Sequence, residues 1–326
     1  MKTGNQGRLL WQASGCAALL LALCGSAMSI GAPEDDVMPP AGVALPGAAV
    51  APAPSRVRLP SNFDEGPRLD ELPELVPLGA FPWVVAVVLD REKPRDSYVC
   101  GGVIVAKQWV LTAAHCISGL GRRWPVDTAP YVITGTADLS AQGRIVPVGG
   151  IVTHPQYDVK KQLNDIALIY VDPKFGSFGT PINLDGVAAS DQAGEVATIV
   201  GWGISNKTHI NNKKAGQLLQ LIQSTVQDDG TCFSAQNFPN RRNTGAFCGL
   251  STNKYQDICD RFGGSPIILL DQKGERYLAG LVSMTKACPV DGKRMNVYVD
   301  VQTRLAWIKG VVSGKNASTG ESETPK

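Results

Sequence analysis

The feature that most constrains this chain is a series of short apolar, β-branched runs that fills residues 76–312 and is punctuated by glycine. The runs are "WVVAVV", "GGVIVA", "WVLTA", "YVITG", "RIVPVGGIV", "DIALIYV", "VATIVGW", "SPIILL", "LAGLVS" and "NVYVDV". Segments of about four to eight such residues with turn signals between them predict an all-β sandwich or barrel, not an alternation of helix and strand. Only the end departs from this rhythm. Val301, Leu305, Ile308 and Val312 recur at helical offsets, which puts them on one face of a terminal helix that can pack against the sheets.

The flanks read differently. Lys2 and Arg8 precede an apolar run from Leu9 to Leu23, and the small residues Gly25, Ser26, Ala27 and Ser29 follow, so residues 1–29 are expected to be a cleaved secretory signal peptide. The run is short for a membrane span, and no later apolar segment of about 20 residues occurs, so no membrane association is expected after cleavage. Leu23 is too large for a lipid-attachment site at Cys24. Residues 30–75 form a Pro/Ala-rich linker with seven prolines between Pro33 and Pro60 and no aromatic residue in that stretch, too little apolar area to offset the entropy of ordering it. A polar tail occupies 313–326.

Charge and cysteine content narrow the classes further. Losing Lys2 and Arg8 with the leader leaves 29 basic and 29 acidic residues, which removes the electrostatic case for a nucleic-acid partner. Six cysteines remain after Cys16 and Cys24: Cys100, Cys116, Cys232, Cys248, Cys259 and Cys288. An even number in an exported chain predicts three disulfides, although spacing alone leaves the pairing open. No zinc-ligand spacing and no cofactor motif occurs, so neither metal nor cofactor is expected. Asn206 in "NKT" and Asn316 in "NAS" are glycan acceptor sequons. His154 in "THPQYD" reads as a surface histidine beside a turn, and His209 lies in a polar loop.

Chemistry enters at "LTAAHC", where His115 stands beside Cys116, and is joined by Asp165 opening the apolar strand "NDIALI" and by "GWG" at 201–203. With "GAFPWVVAV", "HPQYD", "CDRFGGSPI" and "NVYVDV", these ordered motifs resemble the trypsin and chymotrypsin family of serine peptidases over nearly the whole body. The resemblance implies two packed antiparallel six-stranded β-barrels with a cleft between them and a C-terminal helix. It also implies the disulfides Cys100 with Cys116, Cys232 with Cys248, and Cys259 with Cys288. In that family a histidine takes the proton of a serine hydroxyl and a buried aspartate orients the histidine, roles that His115 and Asp165 match.

The serine is missing. Against the family's "GDSGGP" the chain reads Arg261, Phe262, Gly263, Gly264, Ser265 and Pro266, which puts Gly263 at the nucleophile position. Ser265, two residues on, is an alternative nucleophile, but a hydroxyl must come within about 2.6–3.2 Å of its base. The "GGSP" spelling resembles the noncatalytic serine-protease homologues of invertebrates. Phe262 replaces the aspartate that pairs with a new α-ammonium in activated relatives, and no "Ile-Val-Gly-Gly"-like start precedes Gly79. Arg261 replaces an oxyanion-hole glycine. Asp257 matches the carboxylate that selects basic side chains, yet Thr285 in the wall segment "SMTKAC", which begins at Ser283, and Asn296 stand where the family has glycine. The Asn296 amide is placed to satisfy Asp257 and fill the pocket.

These features lead to the expectation of an inactive, secreted peptidase homologue that binds other secreted proteins, such as peptidases or their substrates, as a regulator or cofactor in an extracellular fluid or cascade. Two alternatives stand beside it. One is an active endopeptidase cleaving after basic residues through Ser265, and the other is a passive structural or carrier protein of a secreted fluid.

Overall fold

The computed structural model describes residues 74–118, 130–141, 143–204, 217–234, 237–252, 257–284 and 295–315. The leader, the linker up to residue 73 and the tail beyond residue 315 lie outside these residues, as do Asn206, His209, Thr285, Cys288 and Asn316. The chain divides between Ser61 and Asn62, and all the described residues belong to the second part.

The β-rich runs form two antiparallel sheets. The first contains β2 (Val84–Val88), β3 (Tyr98–Ala106), β4 (Trp109–Thr112), β5 (Tyr131–Thr134), β6 (Arg144–Pro147), β7 (Gly150–Thr153) and β8 (Ala167–Tyr170), in the spatial order β6-β5-β2-β3-β4-β8-β7. β6 and β7 are two halves of one bent stretch. At the bend the Val148 N–H donates to Pro130 O, on the β5 side, and the Gly149 N–H donates to Tyr170 O, on the β8 side. That stretch therefore carries the sheet from one edge to the other and curls it into a barrel.

The second sheet contains β9 (Val196–Gly201), β10 (Gln220–Val226), β11 (Ala246–Ser251), β12 (Pro266–Leu270), β13 (Arg276–Met284) and β14 (Met295–Asp300). It closes directly, because β10 pairs with β9 over Gln220↔Gly201 to Thr225↔Val196 while β12 pairs with β9 on its other side. The short strand β1 (Glu74–Leu75) attaches to β10. Closure removes the exposed edges that make open sheets prone to aggregation.

Strand β2 shows why the sequence runs are continuously apolar. Val85 and Val87 point into the first barrel beside Ile104, Val110 and Ile169, whereas Val84, Ala86 and Val88 belong to a second cluster with Val200, Trp202 and Leu281 of the other barrel. Both faces are covered, so alternation with polar residues would bury unpaired groups. Each valine enclosed in this way contributes about 1.5–3 kcal/mol. The second barrel has its own core of Ile199, Ile222, Phe247, Ile267, Val282 and Tyr298.

Among the described residues the α-helices are α1 (Ala114–Ser118), α2 (Asp229–Cys232) and the terminal α3 (Leu305–Val312), which a 3-10 turn at Gln302–Arg304 precedes. Val301 and Ile308 are fully buried in the cluster shared by the two barrels, in keeping with the expected helix face. Trp307 of α3 reaches the first barrel, where its ring lies 4.9 Å from that of His154. His154 does flank a turn, since the Tyr157 N–H donates to its carbonyl, but it is half-buried on Trp307 and not the surface residue the sequence led us to expect.

Candidate functional site

The site forms where the barrels meet. His115 is held on α1, one turn after β4, and Asp165 sits just before β8, where Asn164 adopts a φ of 50° to turn the chain. Asp165 is fully buried and collects three donors. The His115 backbone N–H donates to Oδ1 at 2.7 Å, His115 Nδ1 lies 2.7 Å from Oδ2, and the Ser283 hydroxyl on β13 also donates to Oδ2. This arrangement keeps a proton on Nδ1 and leaves Nε2 to act toward the cleft.

What Nε2 meets there is glycine. A Cβ built on Gly263 would stand 2.5 Å from His115 Nε2, 2.9 Å from its Cε1 and 3.2 Å from Cys100 Sγ. A serine hydroxyl serving that imidazole would lie about 2.6–3.2 Å from Nε2, with its Cβ farther away. The imidazole thus occupies space that a nucleophilic side chain would need. Ser265 does not fill the role: it is fully buried, and a Cβ on Gly101 of β3 would lie 2.9 Å from its Cα. Its hydroxyl packs against Gly101 and Gly201, with the Tyr98 hydroxyl as polar neighbour, and makes no hydrogen bond to His115 among the described residues. Burial pushes the Tyr98 phenol far above its ordinary range.

The preceding loop is rebuilt. Arg261 has a φ of 60°, in the left-handed region that disfavours side chains by about 1–2 kcal/mol. Its N–H is already engaged, donating to its neighbour's Asp260 Oδ1 at 2.8 Å. Phe262 is fully buried, and a Cβ on Gly203 would come within 2.6 Å of its Cγ, so the ring lies flush on the "GWG" segment. The Ile204 N–H donates to Asp260 O at 2.8 Å and the Gly101 N–H to Gly263 O at 2.9 Å, which ties the loop to both barrels. Gly264 must be glycine: its φ is 73°, and a Cβ would collide with Thr112 and the Gly101 carbonyl.

The structure also brings Asp257 and Asn296 together. Asp257 is buried, and its Oδ1 accepts from Asn296 Nδ2 at 3.0 Å and from the Ile258 N–H at 2.9 Å. A solvated loop around Asp257 is therefore not what forms. Below it, Tyr298 bonds to Ser224 Oγ at 3.0 Å, and burial, helped by the nearby Asp257 charge, drives its phenol far above the usual range. Disulfides join Cys100 to Cys116 and Cys232 to Cys248. Cys259 is disulfide-bonded as well, and its expected partner Cys288 falls outside the described residues. Cys100, His115 and Cys116 cluster within 4.8 Å, but both sulfurs are spent in the disulfide and offer no thiolate to a metal.

Two functional neighbours escaped sequence reasoning. Arg304 is buried, and its guanidinium reaches Asn164 Oδ1 at 2.8 Å as well as the carbonyls of Thr244 and Gly245. Arg241 donates to Gln162 O at 2.6 Å. Together they clasp the turn that delivers Asp165. A signal for Arg304 did exist, since it lies three residues after Val301 and four before Ile308, on the buried face of the helical stretch. Arg241, in "NRRN", carried none.

Comparison with known proteins agrees with this architecture. The Trypsin family model matches residues 74–308, and the chain belongs to the trypsin family. It is 26% identical over 247 residues to ovochymase-2 of Mus musculus, covering 71% of this chain and 38% of that protein. It is 28% identical over 250 residues to serine protease filzig of Drosophila melanogaster, covering 73% of this chain and 14% of that one. It is also 28% identical over 265 residues to vitamin K-dependent protein C of Rattus norvegicus, covering 79% of this chain and 54% of that relative. The chain thus spans about half or less of the length of these relatives. Among the described residues no helix is long and apolar enough to cross a membrane.

Proposed function

We propose that this chain is a secreted trypsin-family protein that does not hydrolyse peptides and instead binds another protein, as a regulator or cofactor in an extracellular fluid or proteolytic cascade. The observation that carries this reading is the glycine facing the dyad: His115 Nε2 lies 2.5 Å from the site of a Gly263 Cβ, so no nucleophilic side chain stands between the imidazole and the cleft. Three further features support it. The Arg261 N–H is turned to Asp260, Phe262 anchors the loop without an aspartate, and Asp257 is occupied by Asn296. Losing one oxyanion donor alone slows acyl transfer about 10²- to 10³-fold. Intact barrels beside a cleft that cannot turn over leave recognition as the function that the fold can still perform.

The test is turnover by the purified mature protein. We expect no hydrolysis of arginine or lysine peptide substrates, no labelling by a fluorophosphonate, and no gain of activity in Gly263→Ser, whose new side chain meets the imidazole. Activity that survives repurification and vanishes in His115→Ala would overturn the reading, since a contaminating peptidase is indifferent to that substitution. Saturable capture of a defined partner from the native fluid separates a regulator from a passive carrier.

A further inference from the structure

We propose that Arg241 and Arg304 hold a chloride ion in the small cavity they line beside the turn that delivers Asp165. Its other walls include Gln162, Asn164, Thr244 and Gly245. The centre of a water-sized sphere can occupy about 10 Å³ of it, which leaves room for one water or halide ion and none for sulfate or phosphate. The cavity is not sealed, since Gln162, Asn164 and Thr244 in its wall are only half-buried.

Both arginines stay charged at physiological pH, and both are buried, Arg241 9% and Arg304 7% exposed. Buried charges are ordinarily paired. Here, among the described residues, no carboxylate lies within 4.0 Å of either guanidinium. Burial lowers the pKa of both groups, opposed only by the charges of Asp165 on Arg241 and of Asp300 on Arg304. Those two carboxylates are turned to other donors. Asp165 accepts from His115 and Ser283, while Asp300 accepts from the N–H groups of Ala189 and Gln302. Arg241 donates to Gln162 O at 2.6 Å and to the thioether of Met284, a weak acceptor. Arg304 donates to neutral oxygens alone, and its buried Nε–H has no partner.

The same contacts favour chloride over water. A water molecule brings two hydrogens that need acceptors, and the wall oxygens of Gln162, Asn164, Thr244 and Gly245 already accept from the two guanidinium groups. A chloride ion brings no hydrogen. It accepts from several N–H groups at once and places a negative charge beside two positive ones where water screens them little. Arg241 and Arg304 flank strands of the second barrel, whereas Gln162 and Asn164 precede β8 of the first. The ion therefore strengthens the clasp on the turn before Asp165.

The experiment follows the Tm of the mature protein as sodium chloride replaces sodium methanesulfonate at constant ionic strength. A tenfold excess of an ion over its Kd for the folded state multiplies the folded-to-unfolded ratio about elevenfold. For a body of this size that raises Tm by about 3–6 °C. We expect a saturable rise of this kind with chloride and with bromide, and its loss in Arg241→Gln, which removes one of the two charges. The unmodified protein is also crystallised from sodium bromide, where an anomalous peak in contact with both guanidinium groups is expected; if Arg241→Gln does not fold, this measurement decides. No saturable rise, a rise of the same size in Arg241→Gln, or density in the cavity that scatters as water and not as bromide would overturn the proposal. None of these readouts involves peptide hydrolysis, so this site and the non-hydrolytic reading can fail separately.

Discussion

The two sides of the cleft have different histories written in their contacts. On the side of the first barrel, His115 and Asp165 keep the geometry of a proton-handling pair, 2.7 Å apart and fully supported. On the side of the second barrel, the loop from Asp257 to Ser265 has been refitted: Phe262 is sunk into the core, Arg261 is held in a strained conformation, and Gly263 is bare. The difference teaches that a His–Asp pair can be held in place by structural contacts apart from any catalytic use. Asp165 accepts the backbone N–H of α1 and the hydroxyl of Ser283 from the opposite barrel, so it is a strut between the barrels whatever His115 does. Gly263 makes no such contact: it has no side chain, and its carbonyl accepts only the Gly101 N–H among the described residues.

If that account holds, stability should not follow resemblance to the family. Asp165→Ala would leave three donors facing an empty site, and Phe262→Ala would open a cavity over Gly201 and Gly203. Each should destabilise by about 3–5 kcal/mol in urea unfolding. The comparison breaks if Asp165→Ala costs under about 1 kcal/mol, because the carboxylate would then be a catalytic relic and not a strut. Arg261→Gly should move the other way. It relieves about 1–2 kcal/mol of left-handed strain and returns part of that as extra freedom of the unfolded chain, for a net gain of about 0.5–1 kcal/mol without any peptidase activity.

The same asymmetry governed what could be read from the sequence. The dyad was legible because "LTAAHC" and "NDIAL" combine a polar residue with uninterrupted apolar neighbours, and the missing nucleophile was legible by counting from Cys259. The Asp257–Asn296 contact followed from a glycine replaced by an amide opposite a carboxylate. Two things were not legible: the advance of the imidazole into the gap at Gly263, and the grip of Arg241 and Arg304 on the turn before Asp165. Both depend on packing between segments far apart in the chain, such as Arg304 with Asn164, and no local pattern encodes a distance across a cleft. His154 was misjudged for the same reason, since its partner Trp307 lies on the terminal helix.

His154 also supplies the smallest expected effect, and one that asks whether the first barrel is tied to the rest of the molecule at a second point besides Asp165. Burial against Trp307, with a minor contribution from the positive charge of Arg304, lowers its pKa from the usual 6.5 to about 4. The folded state therefore keeps His154 neutral over a range where the unfolded chain binds a proton. Stability from this contact is complete above about pH 6.5 and declines as pH falls toward about 4, below which both states are protonated and the decline ends. The ring is only half-buried, so the effect should be modest. Urea midpoints measured between pH 7 and 4 should fall less steeply in His154→Gln than in the parent, while Trp307→Leu, which removes the aromatic face, should flatten the same slope. A parent slope that neither substitution changes would assign the acid sensitivity to other groups, leaving Asp165 as the one polar strut between the barrels that these experiments detect.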